Sequence, residues 1–60
     1  MARFVVFRSP KNKQYYWHLK ADNGEIMAQS EGYKTRYGAK RGARRFAALA
    51  QKAEIHIRVR

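Results

Sequence analysis

Arginine and lysine recur along one short segment at a spacing that sets them on the outside of a helix. They are Arg36, Lys40, Arg41, Arg44 and Arg45, with no acid among them. Arg36–Lys40, Lys40–Arg44 and Arg41–Arg45 are like-charge pairs at i,i+4, each destabilising a helix by about 0.2–0.5 kcal/mol. Arg36 and Lys40 also fall near the positive end of the helix dipole, where cations are unfavourable. An ordinary solvated helix face mixes signs, so this one points to an anionic partner. Arg predominates, and its planar guanidinium fits phosphate oxygens. The chemistry to expect is phosphate contact by these five, with Lys20, Lys34 and Arg58 as secondary contacts. Contacts of this kind position a protein on nucleic acid without reading its sequence.

A second set of residues could act on bases. Phe7, Tyr16 and His18 are expected on an open sheet face, beside Met27, Lys20 and Arg58. Aromatics interleaved with basic residues on a sheet stack on the bases of single strands. Strands favour aromatics in any case, and that plainer reading weighs as much as the functional ones. A face of this kind also suits a protein contact.

Catalysis and metal binding have little to work with. The chain has no Cys, and Asp22, Glu25, Glu31 and Glu54 are scattered in a turn and at strand ends. Ser9 and Ser30 have no evident base beside an orienting acid. His18 and His56 are too few for an ordinary structural metal site. Neither a Gly-rich phosphate loop nor zinc-finger spacing is present. The expectation is a protein that is not an enzyme, with no cofactor and no metal.

Sixty residues with a formal charge of +10, from fourteen Lys and Arg against four acids, make one basic domain at most. Hydrophobic residues are still 45% and aromatics 13%, so this is a folding sequence and not a basic tail. Nucleic acid is the commonest partner of such a domain, followed by an anionic membrane surface or an acidic protein. No apolar run approaches the roughly 20 residues needed to span a bilayer, and no signal-peptide layout opens the chain. The expected location is the cytoplasm, or phage material within a cell. A domain this small buries only about 60% of its unfolded surface and usually needs a staple. With no Cys and no metal set, a second subunit is the remaining one, and a homodimer is expected.

The elements that position these residues follow from periodicity and turn chemistry. Arg3–Arg8 is a strand apolar on both faces, followed by a loop at 9–13 around Pro10. Gln14–Ala21 is a strand with Tyr15, Trp17, Leu19 and Ala21 inward. Asn23-Gly24 reads as a two-residue type I′ hairpin turn before a strand at Ile26–Ser30. That turn sets Ala21 against Ile26, Lys20 against Met27, Leu19 against Ala28, His18 against Gln29, Trp17 against Ser30 and Tyr16 against Glu31. Thr35 is placed to cap a helix from Arg36 to Ala50, whose stripe is Ala39, Gly42, Ala43, Phe46 and Ala50. Gly38 and Gly42 each cost that helix about 1 kcal/mol relative to Ala and mark a close approach to the sheet or to another helix. After a connector at 51–53, Glu54–Arg60 alternates strictly, with Ile55, Ile57 and Val59 inward. The fold class is α+β: an antiparallel sheet with one helix on one face, in the order β-β-β-α-β.

This order and these residues resemble the YegP-like family, small bacterial proteins of unassigned function. The likeness lies in Tyr15-x-Trp17-x-Leu19-Lys20-Ala21-x-Asn23-Gly24-Glu25-Ile26, then Ser30-Glu31-Gly32-Tyr33, then Thr35 and Gly42, and it takes in nearly all of 1–60. It implies one β-β-β-α-β unit completed by exchange of the C-terminal strand between two copies, and it brings no catalytic residues. The unusually basic helix and Gly38 depart from the family's pattern. Gly32-Tyr33-Lys34-Thr35 and the helix after it also resemble the N-terminal DNA-binding domain of tyrosine recombinases. The hairpin and the final strand favour the first family. The functional expectation is a nucleic-acid-binding module, of RNA or DNA. The alternative is a protein-interaction module that takes an acidic partner on its sheet face or edge.

Overall fold

The computed structural model describes residues 1–59, so the Arg60 end of the expected final strand lies outside the described residues. Three strands, β1 (Arg3–Arg8), β2 (Tyr15–Lys20) and β3 (Ile26–Gln29), precede one helix, α1 (Arg36–Lys52). They form an antiparallel sheet in the order β1-β2-β3, with α1 packed on β1 and β2.

Pairing with β2 decides which face of β1 is the core face. Phe4 lies opposite Leu19 and Val6 opposite Trp17, and these four meet the helix side. Arg3, Val5 and Phe7 lie opposite Lys20, His18 and Tyr16 on the other side. The β1–β2 loop closes with Ser9 N–H donating to the Gln14 carbonyl at 2.8 Å and Lys13 N–H to the Ser9 carbonyl at 2.9 Å. Lys13 sits there at φ 59.

The second hairpin keeps the expected pairs Leu19–Ala28 and His18–Gln29 but turns differently. Gly24 is left-handed at φ 88 and Asn23 is not, which rules out a type I′ turn. Instead Gly24 N–H donates to the Ala21 carbonyl and Ala21 N–H to the Glu25 carbonyl, both at 2.9 Å. The loop is therefore three residues, Asp22-Asn23-Gly24, with the glycine at the bulge position that such loops use. Asn23 acts through its side chain, its Oδ1 accepting from Glu25 N–H at 3.0 Å. The extra residue shifts the register between Leu19 and Lys20, so Lys20 meets Ile26 in place of Met27.

Further along, Ser30 lies opposite Trp17 as expected. Its N–H donates to the Trp17 carbonyl at 3.0 Å and its Oγ accepts from Trp17 N–H at 2.9 Å. The chain then gains one residue: the expected Tyr16–Glu31 pair does not form, and Tyr33 pairs with Tyr15. Tyr15 and Tyr33 exchange both backbone hydrogen bonds at 2.8 Å.

Thr35 caps α1, its Oγ1 accepting from Gly38 N–H at 2.9 Å. The helix runs two residues past the expected Ala50. Ala39, fully buried, and Ala43 lie against Trp17, which is 3% exposed. Phe46 reaches over the core with its ring 5.0 Å from Trp17, and Phe4 meets Trp17 edge-on at 5.1 Å. Gly42 is opposed by the Tyr33 ring: a Cβ there would lie 2.6 Å from its Cζ. The close approach foreseen for the glycines is thus to a tyrosine leaving the sheet.

From Ala53 to Val59 the chain forms no strand with this sheet. Ile55, Ile57 and Val59, expected to face inward, are 92, 84 and 90% exposed. Alternation describes a segment that suits a sheet; it does not say which sheet edge receives it.

Candidate nucleic-acid interface

Two small alanines set the helix close to the sheet, and that closeness distributes its cations. With Ala39 and Ala43 facing Trp17, the remaining arc of α1 is exposed and carries Arg36, Lys40, Arg41, Arg44 and Arg45. A step of four residues advances a helix by slightly more than one turn, so the cations wind around it in two rows. Arg36, Lys40 and Arg44 border a groove of about 500 Å³ between α1 and β1, floored by Phe4, Val6, Ala43 and Ala47. Arg41 and Arg45 border a second groove of about 490 Å³ with Glu31, Tyr33, Gly38 and Gly42.

None of the five has an ion-pair partner among the described residues. Among the described residues the ion pairs are the Met1 amino group with Asp22 and His56 with Glu54. Glu31 shares the second groove but reaches ion-pair distance of neither arginine. One cation has an aromatic support that the sequence reading missed: the Arg41 guanidinium lies 5.8 Å from the centre of the exposed Tyr37 ring. Their i,i+4 spacing was the available signal for that contact.

The secondary cations are elsewhere. Lys34 is exposed just before the cap, Arg58 lies on the exposed tail, and Lys20 is half-buried on the sheet face away from α1. The eight cations therefore do not share one surface, because strand alternation sends Lys20 to the side opposite the helix.

Phe7, Tyr16 and His18 do come together on that far face. Phe7 and Tyr16 stand near-parallel, 23° apart with ring centres at 6.0 Å, and His18 meets Phe7 at 4.7 Å. Two neighbours went unforeseen, since neither shows in strand periodicity. Arg3 lies directly opposite Lys20, and Asn12 Nδ2 donates to the Tyr16 hydroxyl at 2.7 Å. His56 is on the tail with Glu54, and no group of three or more His, Cys, Asp or Glu suited to a metal occurs among the described residues. No helix there is long and apolar enough to cross a membrane.

Comparison with known proteins adds a family and a fold. Residues 11–56 match a family described as a domain of unknown function, DUF1508. A UPF0339 protein of Photorhabdus laumondii is 56% identical over 34 residues, a stretch that is 57% of this chain and 30% of that protein. The solution NMR structure of a protein from Haloferax volcanii superposes with a TM-score of 0.82 at 34% identity, over 95% of each chain.

Proposed function

The chain belongs to the DUF1508 family, and from that premise we propose that it is a small non-enzymatic module of the cytoplasm that binds RNA or DNA through phosphate contacts of its helix. The observation that carries the reading is the set of five helix cations that have no ion-pair partner among the described residues. They weaken the helix that bears them, so a polyanion is the natural counterpart. The two rows on α1 suit a backbone that crosses the helix. Low sequence specificity follows, because phosphate is the same at every step.

The exposed tail favours a homodimer in this reading. The groove beside β1 has an apolar floor of Phe4, Val6, Ala43 and Ala47, and β1 is an edge strand of the sheet. A second copy's tail, added as a strand on that edge, would set Ile55, Ile57 and Val59 over this floor. Light scattering at micromolar concentration tests it: the mass of two chains is expected, and a well-folded monomer refutes the exchange.

The binding test is a salt titration. If Z phosphates are neutralised, log K falls with log salt at a slope near −0.9Z on duplex DNA and about −0.7Z on single strands. Arg41→Glu with Arg45→Glu is expected to shrink the slope and weaken binding while the helix is kept. Equal binding by parent and variant removes α1 as the interface. Complete absence of salt-sensitive binding, with an acidic protein recovered in its place, favours the protein-interaction reading.

A further inference from the structure

We propose that the sheet face turned away from α1 is a platform for single-stranded nucleic acid, with bases stacking on Phe7, Tyr16 and His18 and phosphates met by Arg3 and Lys20. It rests on the nucleic-acid reading above and adds the strandedness of the partner and a second surface.

Three cross-strand pairs build the track, Arg3–Lys20, Val5–His18 and Phe7–Tyr16. From Arg3 to Phe7 it is about 13 Å long, at roughly 3.3 Å per strand residue. Like charges directly opposite each other destabilise a sheet, yet Arg3 and Lys20 are so placed, and no acid lies in any of the three pairs. That charge favours a polyanion over an apolar protein surface.

The aromatic end is held in place before any ligand arrives. Asn12 fixes the Tyr16 hydroxyl at 2.7 Å, and Asn12 is itself held as its Oδ1 accepts from Gln14 N–H at 3.0 Å. Neighbouring Lys13 takes a left-handed backbone, φ 59, within this loop. The rings of Phe7 and Tyr16 stand near-parallel and His18 meets Phe7 edge-on at 61°, so the two parallel rings offer the flat faces that bases extend and His18 borders them. Every base has a flat face, so such a platform tolerates any sequence. A duplex hides those faces within its own stack, so duplexes should use the helix alone.

The experiment is an amide-resolved NMR titration of the 60-residue chain with a short oligothymidylate, beside anisotropy measurements on that strand and on a duplex of equal length. Shifts at Arg3, Val5, Phe7, Tyr16, His18 and Lys20 are expected with the single strand only. Tyr16→Leu should weaken single-strand binding by about 5- to 150-fold, the range for one lost base stack. It should leave duplex binding and the salt slope unchanged, and Tyr16→Phe should retain the stack. Single strands that shift only helix amides, or that bind Tyr16→Leu as they bind the parent, overturn the platform and leave the helix reading standing. Binding lost with Tyr16→Leu but kept in the Arg41→Glu, Arg45→Glu variant supports the platform and overturns the helix reading. Binding of neither oligonucleotide overturns both. Should Tyr16→Leu fail to fold, the amide shifts of the parent decide the matter.

Discussion

Replacing Gly42 by Ala sets two known effects against each other at one atom. In a helix interior the change gains about 1 kcal/mol from propensity alone. Here the added methyl would lie 2.6 Å from Tyr33 Cζ and 3.1 Å from Cε2, well inside van der Waals contact. Two backbone hydrogen bonds of 2.8 Å to Tyr15 hold the Tyr33 backbone in place, so relief has to come from rotation of the ring off the helix. Overpacking of this kind costs about 1–3 kcal/mol. The balance is a loss of roughly 0–2 kcal/mol, and each kcal/mol lowers Tm by about 4–8 °C in a domain of this size. In a Tyr33→Ala background the obstacle is gone, and the same glycine change should stabilise by about 1 kcal/mol. Urea unfolding of the four proteins in this cycle, at one protein concentration, measures both arms. A Gly42→Ala variant more stable than the parent, or one whose effect is the same in both backgrounds, would refute the argument that Tyr33 dictates the glycine.

Three other outcomes follow from the packing. Thr35→Ala removes the hydroxyl that accepts from Gly38 N–H and should cost about 1 kcal/mol, read as a lower Tm. Trp17→Ala empties the centre of the core and should cost about 3–5 kcal/mol, enough to unfold so small a domain by circular dichroism. Trp17→Phe is expected to be far milder, because the buried indole N–H has no hydrogen-bond partner among the described residues.

Much of the fold was legible because two different periods are written into the chain. Leu19–Ala28 and Trp17–Ser30 follow from the expected hairpin turn and hold although the turn differs, because the register shift between Leu19 and Lys20 offsets the extra loop residue; Thr35 follows from helix-capping chemistry. The turn was misread because Asn-Gly suits two loop lengths, and which one forms depends on whether asparagine uses its backbone or its side chain. The candidate surfaces were legible as residue types but not as places. Parity separates Lys20 from the helix cations, and only the β1–β2 register reveals that Arg3 stands opposite it. Phe4 and Val6 could not be told from Val5 and Phe7 by alternation, since both faces of β1 are apolar; contact with Trp17 and the helix decides between them.

The tail after Lys52 places Ile55, Ile57 and Val59 in solvent, alternating with Glu54, His56 and Arg58. If it docks on the β1 edge as proposed, it is a sticker in polymer terms, and a molecule with one sticker and one receptive edge can close in pairs or grow without end. Reciprocal donation ends the reaction at two; one-way donation would make a filament. The formal charge of +10 on each 60-residue unit opposes the second course, because every added unit must approach a column of like charge. Salt screens that repulsion, with a reach of about 10 Å at 0.1 M ionic strength. The charge on which the nucleic-acid proposal rests would thereby also limit chain growth, and colloidal stability in this protein should fall as ionic strength rises.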